Sequence, residues 1–521
     1  MRGGGAIESR AAGCGAWVGP ADDRQCGRAA PGTRGLLLLH HEAHALDAPP
    51  HNSFKIMMNE VVDYGSCCEC GACVLACPHN VIEYIDGKPQ QTAKPDAAFD
   101  YCGVSEGTGC DVCASACPRL WPRETHLRDV TFGNERGFED IFGVFRHIFV
   151  ARTCRADIAA AGQDGGIVTA LLAWAREHGH IDGAVVSAVG ADDPPCFPSP
   201  KVATTVAEIK ASAGSWYTYC ANNLALDAAA GQGLEKLGFV GVPCQITPLR
   251  KMQHMDPGFL VTAKKKPKIV ARQRNYLRGP AERVSFSIGL FCTEVFRPEL
   301  MTERIERDMG IPLSEVRQFN VKGEVLIYRK NGDVASIPLA EAMADYQRPE
   351  CGHCGDFSAE LADIACGGVG TDRATIVVIR TRRGEEIWRE FEASGQVEVQ
   401  PIAQNKRAWN ILLRLARRQR ERVPAGPARS GTAPGLAQYE PRLAAEAATA
   451  ALAGAGKSEE ETAACLAAAY ADESRPSEVV GFIAGQPIPG DPGEPAAGEK
   501  RRLPPPLGPD EGGSPPGSRG A

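Results

Sequence analysis

Long apolar runs and an excess of basic residues are both missing from this chain of 521 residues. Its most apolar N-terminal stretch, 36–39, is far short of the about 20 residues that a membrane span needs, and it does not have the flanks of a secretory signal. With 57 Lys and Arg against 64 Asp and Glu, the net charge of −7 argues against a nucleic-acid-binding chain. We therefore expect a cytoplasmic protein that neither spans a membrane nor binds nucleic acid.

Aromatic residues are also scarce, whereas cysteine is abundant. The chain holds 20 cysteines beside only 17 Phe and 10 Tyr. Cytoplasmic thiols stay reduced, so cysteines at this density favour metal ligation over disulfide bonds. With 43% hydrophobic and 23% charged residues the composition is globular, and the length favours two or three domains.

Composition divides the chain into five segments. We predict a disordered extension over 1–57, a small cysteine-rich domain over 58–125, an α/β domain over 126–403, a basic helix over 404–424 and a low-complexity tail over 425–521. The α/β assignment rests on apolar runs that alternate with helical patterns. Alternatively, the first segment is sequence upstream of a true start at Met57 or Met58.

Two cysteine runs in segment 58–125 have the spacing of iron–sulfur ligands. One reads C-x2-C-x2-C-x3-C-P and the other C-x7-C-x2-C-x3-C-P, and together they supply the eight thiolates that two [4Fe–4S] clusters require. We assign Cys67, Cys70, Cys73 and Cys117 to one cluster, and Cys77, Cys102, Cys110 and Cys113 to the other. Structural zinc is a weaker alternative, because it prefers two separated cysteine pairs. Cys68 is left over, since adjacent thiolates rarely bind one cluster together.

Four cysteines farther along the chain could build a third [4Fe–4S] site. Cys244 and Cys292 each follow a predicted buried strand, and Cys351 and Cys354 form a C-x2-C pair. The carboxyl ends of parallel strands form the edge at which α/β proteins bind ligands. We call these residues the four distant cysteines. Alternatively, Cys244 and Cys292 are small buried hydrophobic residues.

A glycine-rich stretch, 162–166, opens a predicted helix over 167–177. Glycines allow a backbone to approach a phosphate closely, and a helix N-terminus offers N–H groups to it. Asp164 can cap this helix. From the residues alone, a tight helix entry explains the stretch as well as a ligand does.

These motifs together resemble the beta-subunit family of coenzyme F-420 hydrogenases and dehydrogenases, over about residues 67–381. The similar stretches are the two Cys-Pro runs, 162–172, 241–245, 288–294, 320–323, 351–357 and 359–364. The resemblance implies an α/β flavin-binding domain with a small α+β ferredoxin domain of the bacterial, two-[4Fe–4S] type at its N-terminus. The disordered ends are predicted from composition and lie outside the resemblance.

The resemblance also implies the chemistry. Coenzyme F-420, as substrate, would exchange a hydride with FAD, and three [4Fe–4S] clusters would carry single electrons onward. It supports the four distant cysteines as ligands of the flavin-proximal cluster. The residues implied at the flavin or coenzyme site are Gln163, Asp164, Gly165, Gly166, Gln245, Asn320, Lys322 and Gly323. Of these, we expect catalytic roles for Gln245 and for Lys322, whose cation can stabilise reduced flavin.

The partner and two departures from the family pattern leave other functions open. The redox partner would be a hydrogenase, a heterodisulfide reductase, a dehydrogenase complex or a ferredoxin; the chain lacks the paired motifs of a nickel site. Cys366 and a shortened loop at 371–375 depart from the pattern. The alternatives are a ferredoxin-dependent reductase of another small molecule, of the tetrapyrrole type, and a non-catalytic electron-relay subunit.

Overall fold

A computed structural model describes residues 54–91, 110–120, 124–132, 138–255 and 267–421. Cys102, the predicted extension up to residue 53 and the predicted tail lie outside these residues. The helices are α1 (Phe54–Met57), α2 (Ala72–Ala76), α3 (Val112–Ala116), α4 (Glu124–Phe132), α5 (Ala156–Ala161), α6 (Ile167–Glu177), α7 (Val206–Ala211), α8 (Ala225–Gly231), α9 (Pro243–His254), α10 (Pro267–Glu282), α11 (Leu339–Tyr346), α12 (Arg382–Ala393) and α13 (Lys406–Glu421).

Strands and short helical turns complete the described elements. The strands are β1 (Ile82–Ile85), β2 (Lys88–Gln91), β3 (Phe138–Asp140), β4 (Gly143–Phe145), β5 (His147–Thr153), β6 (Gly183–Ala188), β7 (Ser199–Ala203), β8 (Leu237–Gly241), β9 (Val284–Leu290), β10 (Val316–Val321), β11 (Glu324–Arg329), β12 (Val334–Pro338), β13 (Ile364–Gly367), β14 (Thr375–Ile379) and β15 (Val397–Pro401). Two π-helical segments are Met58–Val62 and Leu300–Asp308, and the 3₁₀ turns are Asn222–Leu224, Leu313–Glu315, Pro349–His353 and Ile402–Gln404.

An eight-stranded mixed sheet forms the centre of the α/β domain, in the order β15-β5-β14-β13-β9-β8-β6-β7. Strands β13, β9, β8 and β6 are mutually parallel neighbours, while the pairs on either side of them are antiparallel. The central strands are short and apolar because both faces of the sheet are covered. The α/β prediction is confirmed to this extent.

Helices cover both faces of the sheet. On one face, Leu171 and Trp174 of α6 pack with Trp388 of α12. On the other, Leu249 of α9 and Trp409 of α13 belong to a second core. The predicted basic helix therefore exists, starting at Lys406, and it buries its apolar side against the domain.

The cysteine-rich segment packs on this second face, and its helices α2 and α3 contact one another and α10. A separate antiparallel sheet, β10-β11-β12, builds its own core with Leu300–Asp308 and α11. Phe54 and Met57 are buried in helix α1, so the described fold begins inside the range 1–57 that was predicted to be disordered. Among the described helices, none is long and apolar enough to cross a membrane.

Candidate functional site

Two short helices position the cysteines of the ferredoxin-type segment. Cys73 lies in α2 and Cys113 in α3, and each helix is preceded and followed by further cysteines of its run. Gly71 begins α2 with a φ of 75°, and a Cβ there would lie 2.6 Å from Leu224 Cγ, so a larger residue would separate the segment from the α/β domain. This local geometry keeps the two runs side by side.

The first predicted ligand set comes together in the structure. Burial raises the pKa of the Cys67 thiol to about 12, with neighbouring Cys68 and Cys117 adding to the rise. Burial likewise raises the pKa of Cys73, which has Cys117 and Cys67 as neighbours. Cys117 therefore lies beside the first run, and its assignment as the fourth ligand of that cluster stays a prediction. Of the second set, Cys77, Cys110 and Cys113 are buried, and Cys102 lies outside the described residues.

The four distant cysteines line one cavity. Strands β8 and β9 are parallel neighbours, Cys244 follows Pro243 in the first turn of α9, and Cys292 lies two residues beyond β9. Cys351 and Cys354 join them from the turn Pro349–His353 and the residue after it. The strand ends thus bring thiols from distant parts of the chain to one place.

A cubane cluster suits this donor set. The sulfurs of Cys292, Cys351 and Cys354 lie 3.7 to 3.9 Å from main-chain oxygens, so each thiol is aimed by local backbone. Within the described ranges, no three His, Cys, Asp or Glu side chains lie close enough to share a single metal ion. A [4Fe–4S] core spreads its four thiolates farther apart than a single zinc ion does. Cys244, Cys292, Cys351 and Cys354 would hold such a cluster.

Sequence reasoning missed Cys68. Its side chain is 4% exposed and lines the cavity of the four distant cysteines. The Cys68 sulfur donates to the carbonyl oxygen of Cys244 at 3.8 Å, and the Cys244 and Cys70 side chains lower the pKa of Cys68. Cys68 therefore lies between a predicted ligand of the ferredoxin-type segment and a predicted ligand of the third site. In the sequence, Cys68 is only the residue next to Cys67. Its contact with the cavity depends on the tertiary fold, which the order of residues along the chain does not show.

Buried cations join the ferredoxin-type segment to the third site. Arg119 donates to the carbonyl oxygens of Ser66 at 3.1 Å and Glu350 at 3.2 Å. Arg348 pairs with Glu69 at 2.5 Å and lies 4.3 Å from the centre of the Tyr219 ring. These contacts fix the two sets of thiols relative to one another.

The glycine-rich loop forms as predicted, but Asp164 does not cap the helix. Gly166, with a φ of 66°, is the N-terminal residue of α6, and no side chain caps it. Gly165 fits tightly between strands, since a Cβ there would lie 2.5 Å from the oxygen of Ala151 and 2.8 Å from the nitrogen of Thr375. Asp164, at a φ of 52°, instead turns toward another part of the fold.

Asp164 pairs with Lys322. The Lys322 ammonium lies 2.9 Å from Asp164 Oδ1 and also donates to the carbonyl oxygen of Gly368. Burial raises the pKa of Asp164, against the opposing effects of Lys322 and Asn320. Gly323, at a φ of 84°, makes the tight turn between β10 and β11 that brings Lys322 here. The structure thus brings Asp164, Asn320, Lys322 and the glycine-rich loop together.

Gln163 has the polarity and burial of a ligand-binding residue. Its amide nitrogen donates to the Tyr217 hydroxyl at 3.3 Å, whereas its buried amide oxygen has no hydrogen-bond partner within the described part of the chain. A flavin or deazaflavin carries ring N–H groups that can donate to such an oxygen. Burial raises the pKa of Tyr217, and Asp164 and Cys292 add to the rise. The carbonyl oxygen of Tyr217 accepts from the nitrogen of Phe296 at 2.9 Å, and Phe296 follows Val295 of the cavity lining, so Tyr217 connects the loop with the third site.

Gln245 has a structural role. Its amide oxygen accepts from the backbone nitrogen of Val242 at 3.0 Å at the start of α9, and its amide nitrogen donates to the carbonyl oxygen of Cys220. Only 3% of Gln245 is exposed. It fixes the turn that carries Cys244, and a catalytic role for Gln245 stays a prediction. Cys366, one of the departures, is a buried core residue of β13.

Comparisons with known proteins identify the family of this chain. Residues 148–227 and 234–405 match the N-terminal and C-terminal parts of the coenzyme F-420 hydrogenase/dehydrogenase beta subunit, and residues 60–83 match a 4Fe-4S binding domain. A coenzyme F-420 hydrogenase subunit beta from Methanothermobacter thermautotrophicus is 34% identical over 286 residues, which are 54% of this chain and 94% of the relative.

Two further relatives share this part of the chain. A coenzyme F-420-dependent sulfite reductase from Methanocaldococcus jannaschii is 33% identical over 352 residues, 67% of this chain but half of that protein. A chain of the F-420-reducing [NiFe] hydrogenase complex from Methanosarcina barkeri has a TM-score of 0.48 and 34% identity, covering 54% of this chain and 91% of that one. The present chain belongs to the coenzyme F-420 hydrogenase/dehydrogenase beta-subunit family.

Proposed function

We propose that this chain is a coenzyme F-420-dependent oxidoreductase that passes electrons to a partner protein. FAD, when bound, would exchange a hydride with coenzyme F-420 and convert electron pairs into single electrons, which [4Fe–4S] clusters can carry. Three such clusters, two in the ferredoxin-type segment and one held by the four distant cysteines, would lead toward the partner.

One observation carries this proposal: the glycine-rich loop and the cavity of the four distant cysteines are neighbours through Tyr217. Gln163 donates to the Tyr217 hydroxyl, and the carbonyl oxygen of Tyr217 accepts from the nitrogen of Phe296, which follows a residue of the cavity lining, at 2.9 Å. Electron transfer from a flavin to a cluster needs such proximity. The buried, unpartnered oxygen of Gln163 supports a ring N–H donor at the same place.

The chain's own residues bind and orient the reactants. Gly165 and Gly166 leave the backbone without side chains directly before α6. Lys322, held by Asp164, places a cation beside this loop, where it can stabilise negative charge on a reduced ring. Positioning of donor and acceptor atoms within about 3–3.5 Å supplies much of the rate in reactions of this kind.

The test uses the full chain, purified and reconstituted without oxygen. We expect about twelve irons and one flavin per chain, and bleaching of the flavin absorbance when reduced F-420 is added. In Cys292→Ser, iron should fall by about four per chain. Cys196→Ser is the matched control, because Cys196 is a buried thiol in the core of the β10-β11-β12 sheet.

Three other outcomes would contradict the proposal. Bound FAD that does not bleach with reduced F-420 would exclude the coenzyme. Bleaching of the flavin by reduced ferredoxin but not by reduced F-420 would favour a reductase of another small molecule, of the tetrapyrrole type. A chain with its clusters but without stoichiometric FAD would be a non-catalytic electron relay.

The partner and the compartment belong to the same proposal. A hydrogenase, a heterodisulfide reductase, a dehydrogenase complex or a ferredoxin could accept single electrons from the ferredoxin-type segment. Because cluster ligands must remain reduced thiols, we place the activity in the cytoplasm.

A further inference from the structure

Lys251 is a lysine whose side chain is completely buried. It is 0% exposed, lies on α9, and donates to the carbonyl oxygens of Cys117 at 2.6 Å and Leu120 at 2.8 Å. Both carbonyls belong to the ferredoxin-type segment, directly after α3. The ammonium therefore lies where this segment packs on the α/β domain, beside a cysteine assigned to the first cluster.

A charge at this position has an energetic cost. Moving an ammonium out of water is unfavourable, and hydrogen bonds to carbonyl oxygens offset only part of that cost. A methionine would fill a similar volume without any charge to desolvate. A buried ammonium is most favourable beside negative charge, and a [4Fe–4S] core with four thiolates is anionic. One-electron reduction adds a further negative charge to such a cluster, and no bond forms or breaks.

The position of Lys251 along α9 relates two cluster sites. Cys244, a ligand residue of the third site, lies in the first turn of the same helix. Lys251 lies seven positions after Cys244 on α9. This spacing is about 10 Å along the helix axis and nearly two full turns, so both side chains lie on one face of the helix. The helix thus presents a thiol to one cluster site and a cation to the next.

We propose that Lys251 raises the reduction potential of the cluster assigned to Cys67, Cys70, Cys73 and Cys117, so that this cluster accepts electrons readily. Its positive charge favours the reduced state, which carries one more negative charge than the oxidised state. The inference rests on the proposed function, because it requires that cluster to be present. Lys251 would act on the cluster through the electric field of its charge, without binding an iron or a substrate.

The test is a potentiometric titration of the anaerobically reconstituted full chain, followed by electron paramagnetic resonance. Lys251→Gln removes the charge and keeps an N–H donor for the carbonyls of Cys117 and Leu120. We expect full iron content, a shift of one cluster's midpoint to lower potential, and unchanged midpoints for the others. Lys251→Arg keeps the charge and should leave that midpoint near the original value. Lys236→Gln, at an exposed lysine, is the matched control and should shift nothing.

Two results would overturn the inference. Unchanged midpoints in Lys251→Gln with full iron would show that the charge does not tune a cluster. Loss of iron or of soluble protein in Lys251→Gln would show that Lys251 serves assembly and not potential. Either result is compatible with an original chain that is reduced by F-420, so it would leave the proposed function intact. An original chain that holds no iron would instead contradict the proposed function itself.

Discussion

The sulfur of Cys68 lies 3.8 Å from the carbonyl oxygen of Cys244, although 176 residues separate them in the chain. Cys68 belongs to the ferredoxin-type segment, and Cys244 begins a helix of the α/β domain. The two predicted cluster sites are therefore in contact through a fifth thiol. This arrangement raises the question of whether Cys68 is itself a ligand.

We predict that Cys68→Ala retains all of the iron. Each [4Fe–4S] cluster needs four thiolates, and the four distant cysteines already supply them at the third site. Cys292→Ala, in the same cavity, should lose about four irons per chain. Iron and acid-labile sulfide analysis of both purified variants is the measurement. A loss of about four irons in Cys68→Ala would instead identify Cys68 as a ligand.

Local features of the sequence predicted local features of the fold. The Thr-x-x-Glu spacing of Thr205 and Glu208 predicts a capping box, and the two residues form one at α7, with the Glu208 nitrogen 3.2 Å from the Thr205 hydroxyl. The buried strands predicted before Cys244 and Cys292 are present as β8 and β9. Such features depend on residues a few positions apart, so a single sequence contains them.

The sequence did not predict the contacts between residues that are far apart in the chain. Asp164 was expected to cap its own helix, yet its partner is Lys322 on another sheet. Lys251, inside a helix, has the sequence character of a solvated charge and is nevertheless completely buried. The pairing of such groups is decided by tertiary packing, which the spacing of residues along one chain does not specify.

Loss of the Lys322 charge should slow flavin reduction. In Lys322→Met we expect the rate of flavin bleaching by reduced F-420 to fall by about tenfold to a hundredfold, because one cation beside the developing negative charge is removed. The measurement is a stopped-flow trace at equal flavin content. Lys330→Met, at an exposed lysine beyond β11, should keep the original rate. An unchanged rate in Lys322→Met would contradict a catalytic role.

The buried ion pair of Arg250 and Asp363 should be important for stability. Their side chains are 8% and 6% exposed and 2.9 Å apart, and Asp363 also accepts from the nitrogen and hydroxyl of Ser287. Asp363→Ala leaves a buried guanidinium without this partner, so we expect a loss of about 3–5 kcal/mol in the free energy of unfolding. Urea unfolding measures it.

An exposed ion pair on the eight-stranded sheet provides the comparison with the buried pair. Arg152 and Glu398 lie 2.6 Å apart on neighbouring strands with exposures of 61% and 57%. Glu398→Ala should lower the free energy of unfolding by at most about 1 kcal/mol, because water screens the pair. Equal losses in Asp363→Ala and Glu398→Ala would show that burial does not decide the strength of the Arg250 pair.

His254 should make stability depend on pH. Burial, together with the charges of Arg250 and Arg278 and against that of Asp363, lowers its pKa from 6.5 to about 4. The unfolded chain therefore binds a proton that the folded chain does not, and stability present above pH 6.5 is lost as the pH falls toward 4. Between pH 7.5 and 5, this loss is about 2 kcal/mol.

His254→Gln removes this titration and keeps a side chain of similar size. Urea unfolding at pH 7.5 and at pH 5 should show a smaller fall in the variant than in the original chain, by about 2 kcal/mol, because its side chain no longer takes up a proton on unfolding. A merely structural role for His254 would lower stability equally at both pH values. The same slope in both proteins would therefore show that His254 does not titrate over this range.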